Sequence, residues 1–461
     1  MSDVIHLPAR AVTVLGAWDV VVCGGGPAGC AAALAARRAG ASVLLVEGQG
    51  QLGGMGTSGL VAHWLGGRTA EGRWIVGGIF KELATEAAAQ GFALLPTADP
   101  ARTYQPHGWF AGLVHGVPFD PFAMAAYLDR KLAGEAVVVL LNTQAIDVTS
   151  AGGRLTHVVI HNKAGIQAVA ASVVIDATGD ADLAVRAGCP TELGRNGDHL
   201  MAPATLMFHV DNVDQDALAD YIGRHDEPRF RTLISQLRAA GEWPFPYEIF
   251  ISVQLQEKGT MMINTSRLVG VDGSDGGSVS DALRRGREET QRLLAVMRRR
   301  FPGFAAARLK AVAPALGVRE TRRIVGDFVL TVADVCAGRA FSDAIGFSSY
   351  GWDLPDPRQP SRQPMTEGRV AKPPFTPLPY RIMLPRGACN LLCPGRAVSV
   401  ERDVLGPVRV MAPVMAMGEA AGAAAARAAA TGCACAEVDV AALRAALREW
   451  GAVVDQEALH V

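Results

Sequence analysis

Residues 19–47 read DVVVCGGGPAGCAAALAARRAGASVLLVE. The apolar run Asp19–Cys23 leads into a glycine cluster, which is typical of a parallel strand buried on both faces. An alanine-rich helix is predicted over Pro27–Gly40, and a second buried strand over Ser42–Glu47. Together these elements form a β-α-β unit of about thirty residues.

The turn between the first strand and the helix is Gly24-Gly25-Gly26-Pro27-Ala28-Gly29, which matches G-x-G-x-x-G. In this motif the glycines permit a tight turn, close approach of the backbone to a pyrophosphate, and packing of helix against strand. The helix N-terminus adds unpaired N–H groups and a partial positive charge for the phosphates. Glu47 ends the next strand, 18 residues after Gly29, where its carboxylate can accept hydrogen bonds from the ribose hydroxyls. The combination predicts a dinucleotide-binding site.

Outward from this unit, a glycine-rich segment at 48–59 is too flexible to be a regular element. A helix is predicted over Asp120–Ala133, and short β-rich runs follow at Val137–Leu141, Thr156–His161, Gln167–Ala170 and Val173–Ile175. Residues 205–377 differ in composition and include a long charged helix over Ser280–Arg300. A buried strand near Leu391 and a small-residue helix over Met411–Ala430 come after that segment. On this last helix Gly418 and Gly422 lie one turn apart, and the lack of side chains there would let a neighbouring element pack closely against the helix.

This order predicts an α/β protein with a Rossmann-type domain, made of a parallel sheet plus a β-meander, and an inserted α+β substrate lobe. The predicted division is residues 1–204 for the first part of the dinucleotide domain, 205–377 for the substrate or cap lobe, and 378–461 for the C-terminal part of the dinucleotide domain.

Composition excludes several other classes of protein. The chain has 461 residues, 49% hydrophobic and 19% charged, with a formal net charge of -1, so no basic excess is present to neutralise nucleic-acid phosphates. Its eight cysteines form no CxxC pair, which argues against zinc and predicts no metal site. The N-terminus does not resemble a secretion signal, and no uncharged apolar run approaches the ~20 residues of a membrane span. A cytoplasmic location is therefore expected.

At this point the sequence resembles the FAD-dependent oxidoreductases related to the glutathione reductase and fumarate reductase flavoproteins. The nearest resemblance is to a bacterial subgroup with a GGM-type loop and an ATGD strand end. The resemblance extends over the length of the chain, in residues 19–47 and in GGMGTSGLV (53–61), VVIDATGDADLA (173–184), GVRETRRIVGDFVLT (317–331) and the segments between 390 and 426. It implies that the cofactor is FAD.

The resemblance also implies which residues contact the cofactor. The loop after the second strand would run beneath the flavin, Ala145 would offer its backbone to adenine, and Val410 and Met411 would begin a helix aimed at the N1–C2=O edge of the flavin. A turn explains Gly179 and Asp180 as well as ligand contact does. The complete expected set is Gly24, Gly26, Pro27, Ala28, Gly29, Glu47, Gly53, Gly54, Met55, Thr57, Ser58, Gly59, Ala145, Gly179, Gly395, Arg396, Val410 and Met411.

Three residues are candidates for catalysis. His63 follows the flavin loop and could be a base, a substrate anchor, a covalent flavin attachment point or a structural histidine; its ordinary pKa near ~6.5 suits proton transfer. Arg319, in GVRETRR, could hold an anionic group or belong to a surface ion-pair network. If that segment is a strand, Arg319 and Arg323 share one face. Tyr350 lies beside Asp353, in a segment where relatives commonly have an aspartate and a histidine.

The predicted activity is a two-electron dehydrogenation of a small organic substrate by hydride transfer to flavin N5. Oxygen, a quinone or a carrier protein are the candidate electron acceptors. Two alternatives are reduction of an activated double bond and a non-catalytic flavin-binding subunit. A second strand–G-x-G-x-x-G–helix motif is missing, so no built-in NAD(P)H domain is expected, and the oligomeric state is not predicted.

Overall fold

The computed structural model describes residue 5 and residues 11–99 and 115–459. The strands, numbered in chain order, are β1 (Thr13–Cys23), β2 (Val43–Val46), β3 (His63–Trp64), β4 (Val117–Pro118), β5 (Val138–Leu140), β6 (Gln144–Ala151), β7 (Arg154–Asn162), β8 (Gly165–Asp176), β9 (Thr191–Leu193), β10 (Phe208–Asp211), β11 (Ser252–Gln254), β12 (Met261–Ile263), β13 (Arg308–Val312), β14 (Arg322–Ile324), β15 (Ala344–Ser348), β16 (Thr376–Pro379) and β17 (Leu391–Leu392).

The helices of the described residues are numbered in the same way. They are α1 (Pro27–Arg38), α2 (Gly78–Ala89), α3 (Pro121–Gly134), α4 (Asp182–Arg186), α5 (Gln215–His225), α6 (Arg231–Ala239), α7 (Gly276–Arg300), α8 (Val332–Cys336), α9 (Pro364–Glu367), α10 (Leu405–Val408), α11 (Met411–Thr431) and α12 (Val440–Glu449). Each of these helices is too short or too polar to cross a bilayer.

The main sheet has the strand order β5-β2-β1-β8, with the parallel pairs β5–β2, β2–β1 and β1–β8. The short strand β17 also pairs parallel with β8, at Val174 and Ile175. Val20–Cys23 of β1 is fully buried because α1 and α11 cover one face of the sheet and the β-meander lies towards the other. This arrangement confirms the Rossmann-type fold and the predicted β-α-β unit.

The β-meander is formed by β6, β7 and β8, which pair antiparallel in sequence order. Two strands are longer than predicted. β8 is one continuous strand over Gly165–Asp176, and β1 begins at Thr13 because residues 13–18 pair with β8 across a bulge. Val14 and Leu15 in this extension are apolar but exposed, so it lies outside the buried core of the sheet.

A second sheet, in the order β11-β12-β10-β13, is antiparallel and lies between residues 208 and 312. It has its own apolar core, in which Phe230, Phe250 and Phe304 are fully buried together with side chains of α5, α6 and α7. We call residues 205–377 the cap lobe; its boundaries, and the three-part division of the chain, remain predictions.

The segment GVRETRR differs from the extended strand considered for it. Only Arg322–Ile324 is a strand, paired with β9, so Arg319 precedes the strand and the alternation of faces does not apply to it. The segment is also not at the surface, since Glu320 and Arg323 are each 1% exposed. Glu320 forms an ion pair with Arg402, which neutralises its charge inside the protein.

Candidate functional site

The glycine motif forms the tight turn between β1 and α1. Gly24 has φ of +103°, and a Cβ there would lie 2.4 Å from the carbonyl oxygen of Ala177. A Cβ at Gly29 would lie 1.8 Å from the Gly24 carbonyl oxygen, so Gly29 is required for packing of the helix against the turn. No side chain caps the N-terminus of α1 at Gly26, which leaves its first-turn N–H groups to a ligand.

Glu47 follows β2 and is 8% exposed. Its Oε2 accepts a hydrogen bond from the Gly25 N–H at 2.5 Å, and its Oε1 accepts one from the Gln49 N–H at 2.7 Å. Burial raises the pKa of this carboxyl, and the backbone hydrogen bonds from Gln49 and Gly25 oppose the shift. The carboxylate is therefore held in a fixed place beside the glycine turn.

The loop at 53–59 lies directly against that turn. Gly54 has φ of +51°, and a Cβ there would come within 2.8 Å of the Gly26 Cα. The Thr57 hydroxyl donates to the Leu52 carbonyl at 2.5 Å. Gly59 contacts the backbone of Met55, from which an added Cβ would be only 2.7 Å away. The glycines thus allow two backbone segments to meet at close range.

The opposite wall is built where β8 and β17 end. The Arg396 guanidinium donates to Asp180 Oδ1 at 2.5 Å. Gly179 has φ of +83°, and a Cβ there would lie 3.2 Å from Arg396 Cζ. Gly179 is therefore a turn glycine that lies against Arg396, and its contact with a ligand stays a prediction.

These pieces enclose one cavity of about 1180 Å³. It extends from the N-terminus of α1 to the second sheet, where Met207, Ala311 and Val312 contribute to its wall. Gly29, Gly53 and Gly59 do not line it. The expected cofactor contacts that do are Gly24, Gly26, Pro27, Ala28, Glu47, Gly54, Met55, Thr57, Ser58, Ala145, Gly179, Gly395, Arg396, Val410 and Met411.

All three candidate catalytic residues line the same cavity. His63 is on β3, is 2% exposed, and lies against Gly116, where an added Cβ would be 2.0 Å from Nε2. The Tyr350 hydroxyl donates to Asp353 Oδ2 at 3.0 Å, and Arg319 donates to the Pro203 carbonyl. The fold brings together side chains more than 250 residues apart in the chain.

Burial and neighbouring charges determine the protonation states of Tyr350 and Asp353. Burial and Asp353 raise the pKa of Tyr350, so its hydroxyl keeps its proton. Burial would raise the pKa of Asp353, but the charges of Arg409 and Arg319 outweigh it and the pKa is lowered. Asp353 therefore stays ionised.

Sequence reasoning missed other members of this site. Arg409 lines the cavity and donates to the Asp353 carbonyl at 2.8 Å; its position next to Val410 was the available signal. Asn264 lines the cavity from the cap lobe, and Arg267 lies close enough to influence the pKa of Asp353. No motif marks either of these two residues.

The family model for FAD-dependent oxidoreductases matches residues 19–447. The chain therefore belongs to the FAD-dependent oxidoreductase family, and its cofactor is FAD. No curated protein matches the chain significantly in sequence.

Several solved structures are similar to this chain at low identity. One is a geranylgeranyl bacteriochlorophyll reductase-like protein from Thermoplasma acidophilum, 15% identical over 94% of this chain and 83% of that chain, with a TM-score of 0.49. Another is the myxobacterial chondrochloren halogenase, at 13% identity over 94% and 79% of the two chains and a TM-score of 0.47. A third is p-nitrophenol 4-monooxygenase from Pseudomonas putida, at 13% identity over 94% and 81% and a TM-score of 0.39.

Proposed function

We propose that this protein dehydrogenates a small organic substrate by a two-electron oxidation. The observation that carries the proposal is the continuity of the cavity, which joins the dinucleotide turn to His63, Arg319 and Tyr350. A substrate bound beside these three side chains would share one enclosed space with the cofactor. Bound FAD supplies the acceptor for a hydride.

We propose that the cofactor is held by the residues at the dinucleotide end of the cavity. The uncapped first turn of α1 and the side chain of Arg396 would bind phosphate oxygens. The Glu47 carboxylate would accept hydrogen bonds from ribose hydroxyls. The N-terminus of α11, at Val410 and Met411, also lacks a side-chain cap and would stabilise negative charge on the ring.

Among the three candidate catalytic residues, His63 is suited to be the base. Tyr350 keeps its proton and donates it to Asp353 in a hydrogen bond, so it is a hydrogen-bonding residue and not a proton acceptor. Arg319 carries no basic lone pair at working pH and would orient the substrate. His63 would take the proton of a substrate hydroxyl or amine as the neighbouring C–H bond breaks.

The test adds a panel of alcohols, amines and hydroxy acids to the oxidised holoenzyme under anaerobic conditions. Reduction of the flavin is measured as the loss of its absorbance. With a substrate that bleaches the wild type, His63→Ala should slow reduction by ~10²–10⁴-fold, because a general base contributes about that factor. Arg319→Ala should also slow reduction. The matched control is His161→Ala, since His161 is exposed on β7, and it should reduce at the wild-type rate.

Rates within about threefold of wild type for both the His63 and the Arg319 variant would place the site elsewhere, because that is well below the effect of a general base. If no compound bleaches the flavin, but chemically reduced protein is reoxidised by an activated alkene, the reaction runs in the reductive direction and the proposal is wrong.

A further inference from the structure

Three arginines lie near Asp353 at the cap-lobe end of the cavity. Arg319 and Arg409 line the cavity, and the charges of Arg409, Arg319 and Arg267 all lower the pKa of Asp353. They are far apart in the chain, so only the fold assembles them. We call Arg267, Arg319 and Arg409 the arginine cluster.

Two members of the cluster are deeply buried without a carboxylate partner. Arg267 is 5% exposed and Arg319 is 9% exposed. Within residues 11–99 and 115–459, neither forms an ion pair. Arg267 Nη1 instead donates to the Ser266 carbonyl at 2.9 Å, and Arg319 donates to the Pro203 carbonyl. Carbonyl oxygens satisfy some of the donors but do not neutralise the charge.

The neighbouring carboxylates cannot supply the missing charge. Asp353 already accepts from Tyr350, from Arg409 at 3.3 Å and from Gln363 at 2.8 Å. Glu320, adjacent to Arg319 in sequence, is paired with Arg402 and accepts the Ala202 N–H. The arginine cluster therefore has three positive charges, and the carboxylate that all three share is that of Asp353.

The excess charge faces the cavity and not the solvent. Arg319 and Arg409 both line it, as do Asn264 and apolar residues such as Leu316. Burial lowers the pKa of Arg319, and the charges of Arg267 and Arg409 lower it further. Isolated buried cations are unfavourable, so an anion at this position would be bound strongly.

We propose that the arginine cluster binds a carboxylate of the substrate, which makes the substrate class of this oxidoreductase organic acids. Two planar guanidinium groups reaching one cavity, Arg319 and Arg409, suit the paired oxygens of a carboxylate. Asn264 lines the same cavity and would offer a further polar contact. The substrate assignment rests on the proposed dehydrogenase function, but anion binding itself can be measured without turnover.

The experiment titrates oxidised holoenzyme with acetate, benzoate and malonate, with the amide of each acid, and with inorganic phosphate, at constant ionic strength in chloride. Binding is followed by the change in the flavin absorbance spectrum and by the shift in the thermal midpoint. We expect the carboxylates to bind and their amides not to bind. Arg319→Met should weaken carboxylate binding by about ten- to a hundredfold, the usual cost of a charge-assisted contact.

The matched control is Arg224→Met, because the Arg224 side chain is 65% exposed on the same lobe; its carboxylate affinity should equal that of wild type. If Arg319→Met does not fold, Arg409→Gln replaces it, and the wild-type comparison of acids with amides stands alone. Equal binding of acids and amides, tighter binding of phosphate than of any carboxylate, or unchanged affinity in the variants would overturn the proposal. So would a variant whose flavin reduction potential shifts while carboxylate affinity stays constant, since the cluster would then serve the cofactor.

Failure of this proposal is distinguishable from failure of the proposed function. Carboxylate binding lost in Arg319→Met, with no compound reducing the flavin, supports the anion site and contradicts the dehydrogenation. Reduction of the flavin by neutral substrates, with no carboxylate binding, supports the dehydrogenation and contradicts the anion site.

Discussion

Glu47 illustrates how one residue can be part of both the fold and the site. Its two carboxylate oxygens hold the N–H groups of Gly25 and Gln49, and thereby fix the turn and the start of the following loop. Each carboxylate oxygen has a further lone pair, because a carboxylate can accept about four hydrogen bonds. The side chain can therefore keep the protein contacts and still accept from a ribose.

We expect Glu47→Ala to lose FAD. Removing a charge-assisted hydrogen bond costs ~1.5–3 kcal/mol, or roughly ten- to a hundredfold in affinity. The measurement is the dissociation constant of FAD for the refilled apoprotein, from the quenching of flavin fluorescence.

The control for this substitution is Asp216→Ala, whose side chain is 86% exposed on the cap lobe and whose FAD affinity should equal that of wild type. An unchanged FAD affinity in Glu47→Ala, in protein with normal circular dichroism, would show that the ribose is bound elsewhere.

At the scale of elements, the contact between α1 and α11 is unusually close. A Cβ at Gly418 would lie 2.1 Å from the Ala28 carbonyl oxygen, and a Cβ at Gly422 would lie 2.1 Å from that of Ala32. The prediction that these glycines admit a near neighbour is confirmed, and the neighbour is the helix that begins at the dinucleotide turn. The spacing of the two helices therefore positions both helix N-termini that line the cavity.

Gly422→Ala should destabilise the protein, because an added methyl group must separate two packed backbones. Overpacking of this kind typically costs 1–3 kcal/mol, so we expect a loss of about that size in the free energy of unfolding. Urea denaturation of the holoenzyme measures it.

Gly223→Ala is the matched control, since Gly223 lies within α5 and an added Cβ would have nothing within 4 Å. There alanine should stabilise by roughly 0.5–1 kcal/mol, because glycine has more conformational freedom to lose in a helix. The two substitutions should therefore have opposite signs, and a stabilising Gly422→Ala would contradict the close helix contact.

At the scale of the whole molecule, a buried histidine joins the cap lobe to Leu60, which directly follows the loop at 53–59. His209 of β10 is 1% exposed, and its Nε2 lies 2.9 Å from the Leu60 carbonyl oxygen, to which the neutral ring donates. Burial lowers the pKa of His209 to about 4, against the opposing effect of that hydrogen bond, and Lys310 lowers it further. His209 is therefore neutral in the folded protein at neutral pH, because the effect of burial outweighs that of the hydrogen bond to Leu60.

This link predicts a loss of stability in acid. The folded pKa of about 4 lies below the ordinary value of 6.5, so the unfolded chain takes up a proton that the native protein does not. The contribution of His209 to the free energy of unfolding is fully present above pH 6.5 and is lost as pH falls towards 4. The total loss is about 3 kcal/mol.

His209→Gln keeps a side-chain donor but does not titrate, so its free energy of unfolding should fall less than that of wild type between pH 6.5 and 4. Urea denaturation across this range compares the two proteins. His161→Gln, a change at an exposed histidine, should follow the wild-type dependence. Parallel curves for His209→Gln and wild type would contradict a neutral buried His209.

The dinucleotide part of the protein could be predicted from the chain alone because its evidence is local. The strand, the turn Gly24–Gly29, the helix and Glu47 lie within 29 consecutive residues, and each has a backbone requirement that only certain residue types meet. Periodicity also located the helices α1, α3, α7 and α11 and the strands β1, β2, β5, β7, β8 and β17. It missed most of the short strands, such as β3 and β9, because two or three residues show no period. It also does not show where burial arises from tertiary contacts, as at Glu320.

The arginine cluster shows what local patterns do not contain. Arg267, Arg319 and Arg409 belong to separate segments, and nothing near any of them in sequence indicates that they meet at Asp353. Whether a charged side chain is solvated or buried depends on which distant elements cover it, and that is a property of packing between elements. Backbone conformation follows largely from neighbouring residues, whereas the electrostatics of the site depend on contacts that only the folded chain makes.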